Sequence, residues 1–79
     1  MRRQDRFASY HDRMQITVNG DAREYPDSTT VAGLLDHLEL GSRPCAVEVN
    51  RLVVPKRQQA DHALQSGDSI EIVTLVGGG

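Results

Sequence analysis

A single stripe of apolar residues at helical spacing is the feature that most restricts how this chain can fold. The four residues of the stripe lie at positions i, i+3, i+4 and i+7, on one face of a helix: Val31, Leu34, Leu35 and Leu38. One such helix can cover only one face of a small sheet. We therefore expect the rest of the 79 residues to form a single sheet packed on this helix.

Segments that alternate apolar and polar residues at period two supply the strands of that sheet. The first, residues 14–18, is followed by Asn19 and Gly20, a pair that accepts the positive φ angles of a tight hairpin. The other predicted strands are residues 22–25, 46–50, 52–54 and 69–75. The order is hairpin, helix, hairpin, strand, and the largely apolar last strand is predicted to lie inside the sheet, next to the first hairpin. The fold class is therefore α+β, with a four- or five-stranded mixed sheet packed on one main helix.

The ends of the helix are predicted from its flanking residues. Ser28, Thr29 or Thr30 offers a side-chain oxygen for the first free amides, and Gly41 is predicted to end the helix as a left-handed cap. In the polar segment that follows the second hairpin, Leu64 is the expected anchor to the core.

Composition excludes several classes of function. The net charge of −2 argues against a general affinity for nucleic acid, and no apolar run is long enough to span a membrane. The single cysteine, Cys45, excludes an internal disulfide and a CxxC pair, so the predicted location is cytoplasmic. The three histidines are far apart in sequence, and we expect no metal site. Glu48 and Glu71 could approach each other across strands, but a domain this small lacks the walls to make them catalytic.

Three regions differ in composition. Residues 1–13 are polar, charged and without periodicity, and are predicted to be a disordered N-terminal extension. Residues 14–75 form the folded domain. Residues 76–79, Val76, Gly77, Gly78 and Gly79, form a predicted flexible tail directly after the last strand.

The tail is the candidate functional segment. Glycine has no Cβ, so this segment could lie extended in a slot too narrow for a side chain and present a bare carboxylate there. Fully extended, it would reach about 13–14 Å beyond the last strand. The alternative is a frayed terminus without a role.

Several short segments, in their order and spacing, resemble the ThiS family of sulfur carriers in thiamine biosynthesis. These segments are residues 14–20, 47–50, 53–56 and 67–68, together with the terminal glycines. The resemblance covers residues 14–79 and implies a β-grasp, or ubiquitin-like, fold. It implies that the carboxylate of Gly79 is adenylated and then converted to a thiocarboxylate. It also implies that Val76, Gly77 and Gly78 bind the partner.

The partners and cofactors that follow are those of the family. A ThiF-like adenylyltransferase would use ATP to activate Gly79, a cysteine desulfurase would be the origin of the sulfur, and thiazole synthase, ThiG, would receive it. No cofactor would be permanently bound, and the chain would be a protein co-substrate rather than an enzyme. Neither nucleic acid nor membrane is an expected partner.

Two positions depart from the family pattern, and other functions stay open. Gln59 stands where many relatives have tryptophan, and Arg51 where glycine is frequent in the hairpin, so the type of that turn is left undetermined. The alternatives are a MoaD-like small subunit of molybdopterin synthase, another ubiquitin-like sulfur carrier or protein modifier, and an interaction module with idle glycines.

Overall fold

A computed structural model describes residues 13–75, in which five strands and two helical segments follow one another. The strands are β1 (Arg13–Val18), β2 (Asp21–Pro26), β3 (Cys45–Val49), β4 (Leu52–Val53) and β5 (Ser69–Thr74). Helix α1 covers Val31–His37, and a 3₁₀ helix covers Lys56–Gln58. Residues 1–12 of the predicted extension and the whole predicted tail, residues 76–79, lie outside the described residues.

The strands form one mixed sheet in the order β2-β1-β5-β3-β4. β1 pairs antiparallel with β2 and parallel with β5, and β3 pairs antiparallel with both β4 and β5. The predicted mixed sheet of four or five strands has five, and the interior position of the last strand and its proximity to the first hairpin are confirmed. β1 begins at Arg13, one residue before the predicted domain boundary, because Arg13 pairs with Pro26 and its guanidinium lies 3.4 Å from the Glu24 carboxylate.

The core lies between α1 and one face of the sheet. β1, β3 and β5 contribute alternate residues to it, as period two requires, whereas β2 contributes only Tyr25. Leu64 is buried, as predicted for the anchor of the polar segment. The buried apolar residues are Met14, Ile16, Val18, Tyr25, Val31, Leu34, Leu35, Val47, Val49, Val54, Leu64, Ile70 and Ile72.

Helix α1 begins as predicted and ends differently. Thr30 is the N-cap, and its hydroxyl accepts a hydrogen bond from the Gly33 amide at 3.0 Å. The left-handed residue at the C-terminus is Glu39, with φ of 62°, so the prediction of Gly41 as the left-handed cap is wrong. Glu39 donates to the Asp36 carbonyl and Leu40 to the Leu35 carbonyl, the pair of bonds of a Schellman motif. Within residues 13–75, no helix is long and apolar enough to cross a membrane.

Both hairpins turn through two residues with positive φ. Asn19 and Gly20 have φ of 51° and 87°, as their sequence predicts, and Asn50 and Arg51 have φ of 53° and 72°. Positive φ at both central residues matches a type I′ turn, whose twist suits a hairpin. Arg51 therefore adopts a conformation that glycine adopts more easily, which answers the question that its sequence left open.

Candidate functional site

The strand that leads into the tail lies at the centre of the sheet. β5 has β1 on one side and β3 on the other, whereas β2 and β4 are the edge strands. Ile70 and Ile72 anchor β5 in the core. The predicted tail therefore continues from the strand that has a neighbour on both sides.

Asn19 extends the pairing between β1 and β5 beyond the end of β1. The two strands pair directly only at Thr17 with Ser69 and at Val18 with Ile70. The next amide, of Asn19, donates to the Ile70 carbonyl at 2.8 Å. The Asn19 side chain then accepts from the Ile72 amide at 2.8 Å and donates to the Ile72 carbonyl at 3.2 Å. One side chain thus takes the place of a further residue of β1.

Asn50, in the other hairpin, forms hydrogen bonds with the first residue of β5. Its backbone amide donates to the Ser69 carbonyl at 2.8 Å, and its side-chain oxygen accepts from the Ser69 amide at 2.9 Å. Its side-chain nitrogen donates to the Asp68 carboxylate at 3.0 Å, and that carboxylate also accepts from the Gln65 amide. Each hairpin therefore presents an asparagine that holds β5, Asn50 at its first residue and Asn19 at Ile72 in its interior.

The attachment of β5 to the sheet extends to the last described residue. Thr74 pairs with Cys45, and the Leu75 amide donates to the Pro44 carbonyl at 2.9 Å. The predicted partner-binding residues Val76, Gly77 and Gly78 and the predicted reactive Gly79 follow immediately, outside the described residues. The structure therefore defines the point from which the tail starts.

The face of the sheet opposite α1 carries apolar side chains next to that point. Val73 is 58% exposed, lies opposite Ala46 of β3 and is followed on the same side by Leu75, which is 51% exposed. Val53 of β4 is also exposed. We call the part of this face that is formed by β3, β4, β5 and Leu75 the open face. It comprises Ala46, Glu48, Val53, Glu71, Val73 and Leu75.

Two carboxylates lie side by side on the open face. Glu48 and Glu71 are directly opposite each other in the β3–β5 register, where side chains are close neighbours. Among residues 13–75 neither forms an ion pair, whereas Glu24, on the other half of the same sheet face, pairs with Arg13. Like charges in this position are unfavourable in the free domain. The structure thus brings together the two glutamates that the sequence suggested could meet.

On the other side of the tail's starting point lies a small pocket of about 190 Å³ that contains the cysteine. Cys45 is partly buried and packs against the core. Arg43, Lys56 and Asp36 contribute charge to the rim, and the buried Gln59 lies in the wall. The position of the thiol agrees with its interpretation as a small, partly buried apolar residue.

The two histidines among the described residues occupy separate places. His37 stacks on Tyr25, with 5.0 Å between the ring centroids, and His62 lies beyond the 3₁₀ helix. Within residues 13–75, no three side chains of His, Cys, Asp and Glu form a group that could hold a metal ion.

The sequence analysis did not single out the two asparagines as supports of β5. Both were visible as turn residues, since Asn tolerates positive φ. What their side chains contact depends on which strand comes to lie beside each hairpin, and that is a property of the tertiary fold. The spacing of residues 14–20 and 47–50 in the family pattern, each ending in or next to an asparagine, was the available signal.

Solved structures and known sequences resemble the chain over most of its length. A crystal structure of the thiamine biosynthesis protein ThiS from Geobacter metallireducens has a TM-score of 0.71 and 29% sequence identity, and the match covers 84% of this chain and all of that one. The sulfur carrier protein ThiS of Escherichia coli K12 is 35% identical over 66 residues, which are 84% of this chain and 100% of that protein.

A longer protein also contains a region like this chain. The thiazole synthase of Paramagnetospirillum magneticum is 44% identical over 66 residues, which are 84% of this chain but 20% of that protein. The chain thus spans about a fifth of the length of this relative.

The sheet order, the single α-helix in the chain's described part and the central last strand define a ubiquitin-like β-grasp domain. The model of the ThiS family matches residues 16–79, which include the terminal glycines. The chain belongs to the ThiS family of sulfur carrier proteins.

Proposed function

We propose that the chain carries sulfur for the thiazole ring of thiamine as a thiocarboxylate on Gly79. The observation that carries this proposal is that the ThiS family match extends to residue 79, with the E. coli sulfur carrier covered over its full length. The geometry supports it, because Leu75, the last described residue before the tail, is still bonded to the sheet. Reactive atoms beyond that point can enter a partner's active site while the domain stays outside.

The proposed chemistry explains the need for an activating enzyme. A carboxylate is a poor electrophile, so one oxygen of Gly79 first attacks the α-phosphorus of ATP, and pyrophosphate leaves. The outer sulfur of a persulfide that originates from a cysteine desulfurase then forms a C–S bond at the carbonyl carbon, while the C–O bond to AMP breaks. A thiol reductant cleaves the S–S bond of the resulting acyl disulfide. The product is a thiocarboxylate, and its attachment to a docking protein supplies the proximity that free sulfide lacks.

In this proposal the chain is a protein co-substrate, and its partners perform the catalysis. The adenylating partner is a ThiF-like adenylyltransferase, which binds the ATP. This enzyme also binds Val76, Gly77 and Gly78. The acceptor is thiazole synthase. The support for this acceptor is that the thiazole synthase of P. magneticum contains a region similar to this chain. The cytoplasm, expected from the single cysteine, stays a prediction.

Intact-mass analysis tests the proposal directly. The purified chain is incubated with ATP, the adenylating partner and a sulfur source, and its mass should rise by the difference between sulfur and oxygen. A matched chain that lacks Gly78 and Gly79, and a reaction without ATP, should stay unmodified. An unchanged mass of the full chain under these conditions would contradict the proposal, whereas covalent adducts on other proteins would identify a protein modifier.

Growth of a deletion strain tests the biological role. A strain without this gene should require thiamine or its thiazole precursor. A requirement for molybdenum cofactor instead would assign the chain to the MoaD-like alternative. Complementation with the tail-deleted chain is the control, because a pure interaction module would restore growth without Gly78 and Gly79.

A further inference from the structure

We propose that the pocket that contains Cys45, which we call the cysteine pocket, is a binding site for the chain's own C-terminal carboxylate, held there by Arg43 and Lys56. The occupant is the tail, residues 76–79, which lies outside the described residues. The proposal concerns the unmodified chain in the absence of any partner. It goes beyond the proposed function, because it gives the tail a binding site on its own domain.

The length of the tail limits the surfaces that its carboxylate can contact. Residues 76–79 extend at most about 13–14 Å from Leu75. The Leu75 amide is bonded to the Pro44 carbonyl, and the residue before Pro44 is Arg43, on the rim of the cysteine pocket. The tail therefore starts beside this pocket. Its three glycines permit the sharp change of direction that would bring the carboxylate over the rim.

Two other surfaces lie within the same reach, and neither attracts an anion. The open face carries the neighbouring carboxylates Glu48 and Glu71, which would repel the carboxylate of the tail. A second pocket, of about 320 Å³, lies between the first hairpin and the end of β5. Among the described residues, its lining has one cation, Arg23, and one carboxylate, Asp21, so their charges offset each other.

The cysteine pocket has a positive charge to offer. Among residues 13–75, its lining contains the cations Arg43 and Lys56 and the carboxylate of Asp36. Within the same residues neither cation forms an ion pair. A guanidinium can bind a carboxylate through two parallel hydrogen bonds, and an ammonium group can donate to the same oxygens. The pocket therefore fits one further carboxylate.

The size and walls of the cysteine pocket also suit the end of a glycine tail. Its volume of about 190 Å³ is below the roughly 300–1,000 Å³ that is usual for small-molecule sites. Gln59 lies in the wall, where its side-chain amide donates to the Val54 carbonyl at 3.4 Å. Leu35 and Ala32 of α1 add apolar lining. A terminal glycine has no side chain that such a small pocket would have to exclude.

For the carrier, the consequence rests on the proposed function. A thiocarboxylate has the same charge as the carboxylate and differs from it by one atom, so it would occupy the same pocket. The sulfur would then lie against the domain until a partner withdraws the tail. Because partly exposed ion pairs are weak, the tail would exchange between pocket and solvent, with the bound form favoured by about two- to threefold.

Nuclear Overhauser effects in the full chain test the bound tail directly. The Cα protons of Gly78 or Gly79 should show contacts with the side chains of Cys45 or Ala60. The matched control is the same chain with Gly79 as its carboxamide, which keeps the tail but removes the negative charge. Its contacts should weaken by about twofold or more, and added salt should weaken those of the unmodified chain. Absence of the contacts, or equal contacts in both chains, would overturn the proposal.

Alkylation of Cys45 gives a second measurement on the same two chains. The thiol lies in the pocket, so a bound carboxylate covers it. Iodoacetamide should therefore react about two- to threefold faster with the carboxamide chain than with the unmodified chain. Equal rates would contradict a carboxylate bound over the thiol.

Charge removal identifies the groups that hold the tail. The variant R43Q/K56Q should lose the contacts of Gly79, whereas R51Q/R57Q should keep them. The control loses the same two positive charges at exposed positions outside the pocket lining. Equal contacts in the two variants would overturn the assignment, either because neither pair of charges holds the tail or because net charge alone decides.

These measurements need neither ATP nor a partner enzyme, so they separate the two proposals. A chain that shows the contacts but never gains sulfur would refute the proposed function and leave the binding site intact. A chain that gains sulfur but shows no contacts of Gly79 would refute the binding site alone.

Discussion

The face of the sheet under α1 and the open face on β3, β4 and β5 differ in how far their apolar side chains are exposed. The face under α1 is closed by apolar residues such as Leu34, Ile70 and Val47, each at most 1% exposed. The open face has Val73 and Leu75 more than half exposed and two carboxylates opposite each other. The comparison teaches that the apolar side chains under α1 stabilise the fold. Substitutions on the open face should therefore have little effect on folding.

The largest effect is expected from a truncation on the covered face. Leu34→Ala should lower the free energy of unfolding by about 2–5 kcal/mol, because it removes buried methyl groups and leaves a cavity under the sheet. Urea denaturation monitored by circular dichroism measures the change. Val53→Ala, on the exposed β4, is the matched control and should cost no more than about 0.5 kcal/mol. Equal losses in the two variants would remove the distinction between the faces.

The next effect concerns the asparagine that supports β5. Asn19→Ala should lower the free energy of unfolding by about 1–3 kcal/mol, because the amide and carbonyl of Ile72 lose both hydrogen-bond partners. Hydrogen exchange should also accelerate at the Ile72 amide. Asn19→Asp retains an acceptor for that amide and should show the smaller increase in exchange. If the Ile72 amide of Asn19→Ala exchanged at the wild-type rate, the Asn19 side chain would not support β5.

A smaller effect of opposite sign is expected on the open face. Glu48→Lys should raise the free energy of unfolding by about 0.2–1 kcal/mol, because it replaces a like-charge pair with an opposite-charge pair across β3 and β5. The gain, measured by urea denaturation, should shrink as salt is added. Glu24→Lys, which loses the ion pair with Arg13, should show no gain. A loss of stability in Glu48→Lys would show that the two carboxylates do not repel each other in the free domain.

The smallest effect on folding, and the largest on function, is expected at Gly79. Gly79→Trp should change the free energy of unfolding by no more than about 0.5 kcal/mol, because a chain terminus contributes little packing. AMP formation with the adenylating partner should collapse, since a bulky side chain cannot enter a narrow slot. Pyrophosphate exchange with purified partner measures this. Normal adenylation of the variant would contradict the hypothesis that the tail enters a slot too narrow for a side chain.

Much of the fold could be predicted because local pattern and global fold agree. The stripe at Val31 and Leu34 places the helix, and Asn19-Gly20 places the first hairpin. The end of the helix could not be predicted in the same way. Glycine is the usual left-handed cap, but Glu39 takes that conformation here, because the bonds that Leu40 and Glu39 donate close the motif two residues earlier. Leu40, the residue after this cap, packs against the core, a tertiary contact that the local sequence does not show.

For the candidate site, the sequence predicts a reactive carboxylate, which stays a prediction, but it does not predict which residues pair beside the tail. The terminal glycines indicate a reactive carboxylate, and the alternation of residues 69–75 places Glu71, Val73 and Leu75 on one side. The pairing of Glu71 with Glu48 depends on the register between β5 and β3, which a shift of one residue would change. The support at Asn50 depends on the same register, and the support at Asn19 depends on the register between β5 and β1.

The pairing of β5 on both sides has a mechanical consequence. An enzyme that pulls on the tail along its axis loads the hydrogen bonds to β1, β3, Asn19 and Asn50 in shear, so that many must break together. If the last strand lay at an edge and were pulled perpendicular to its axis, its hydrogen bonds could break one at a time. In the proposed function, β5 would therefore resist a pull on the tail without unfolding of the domain.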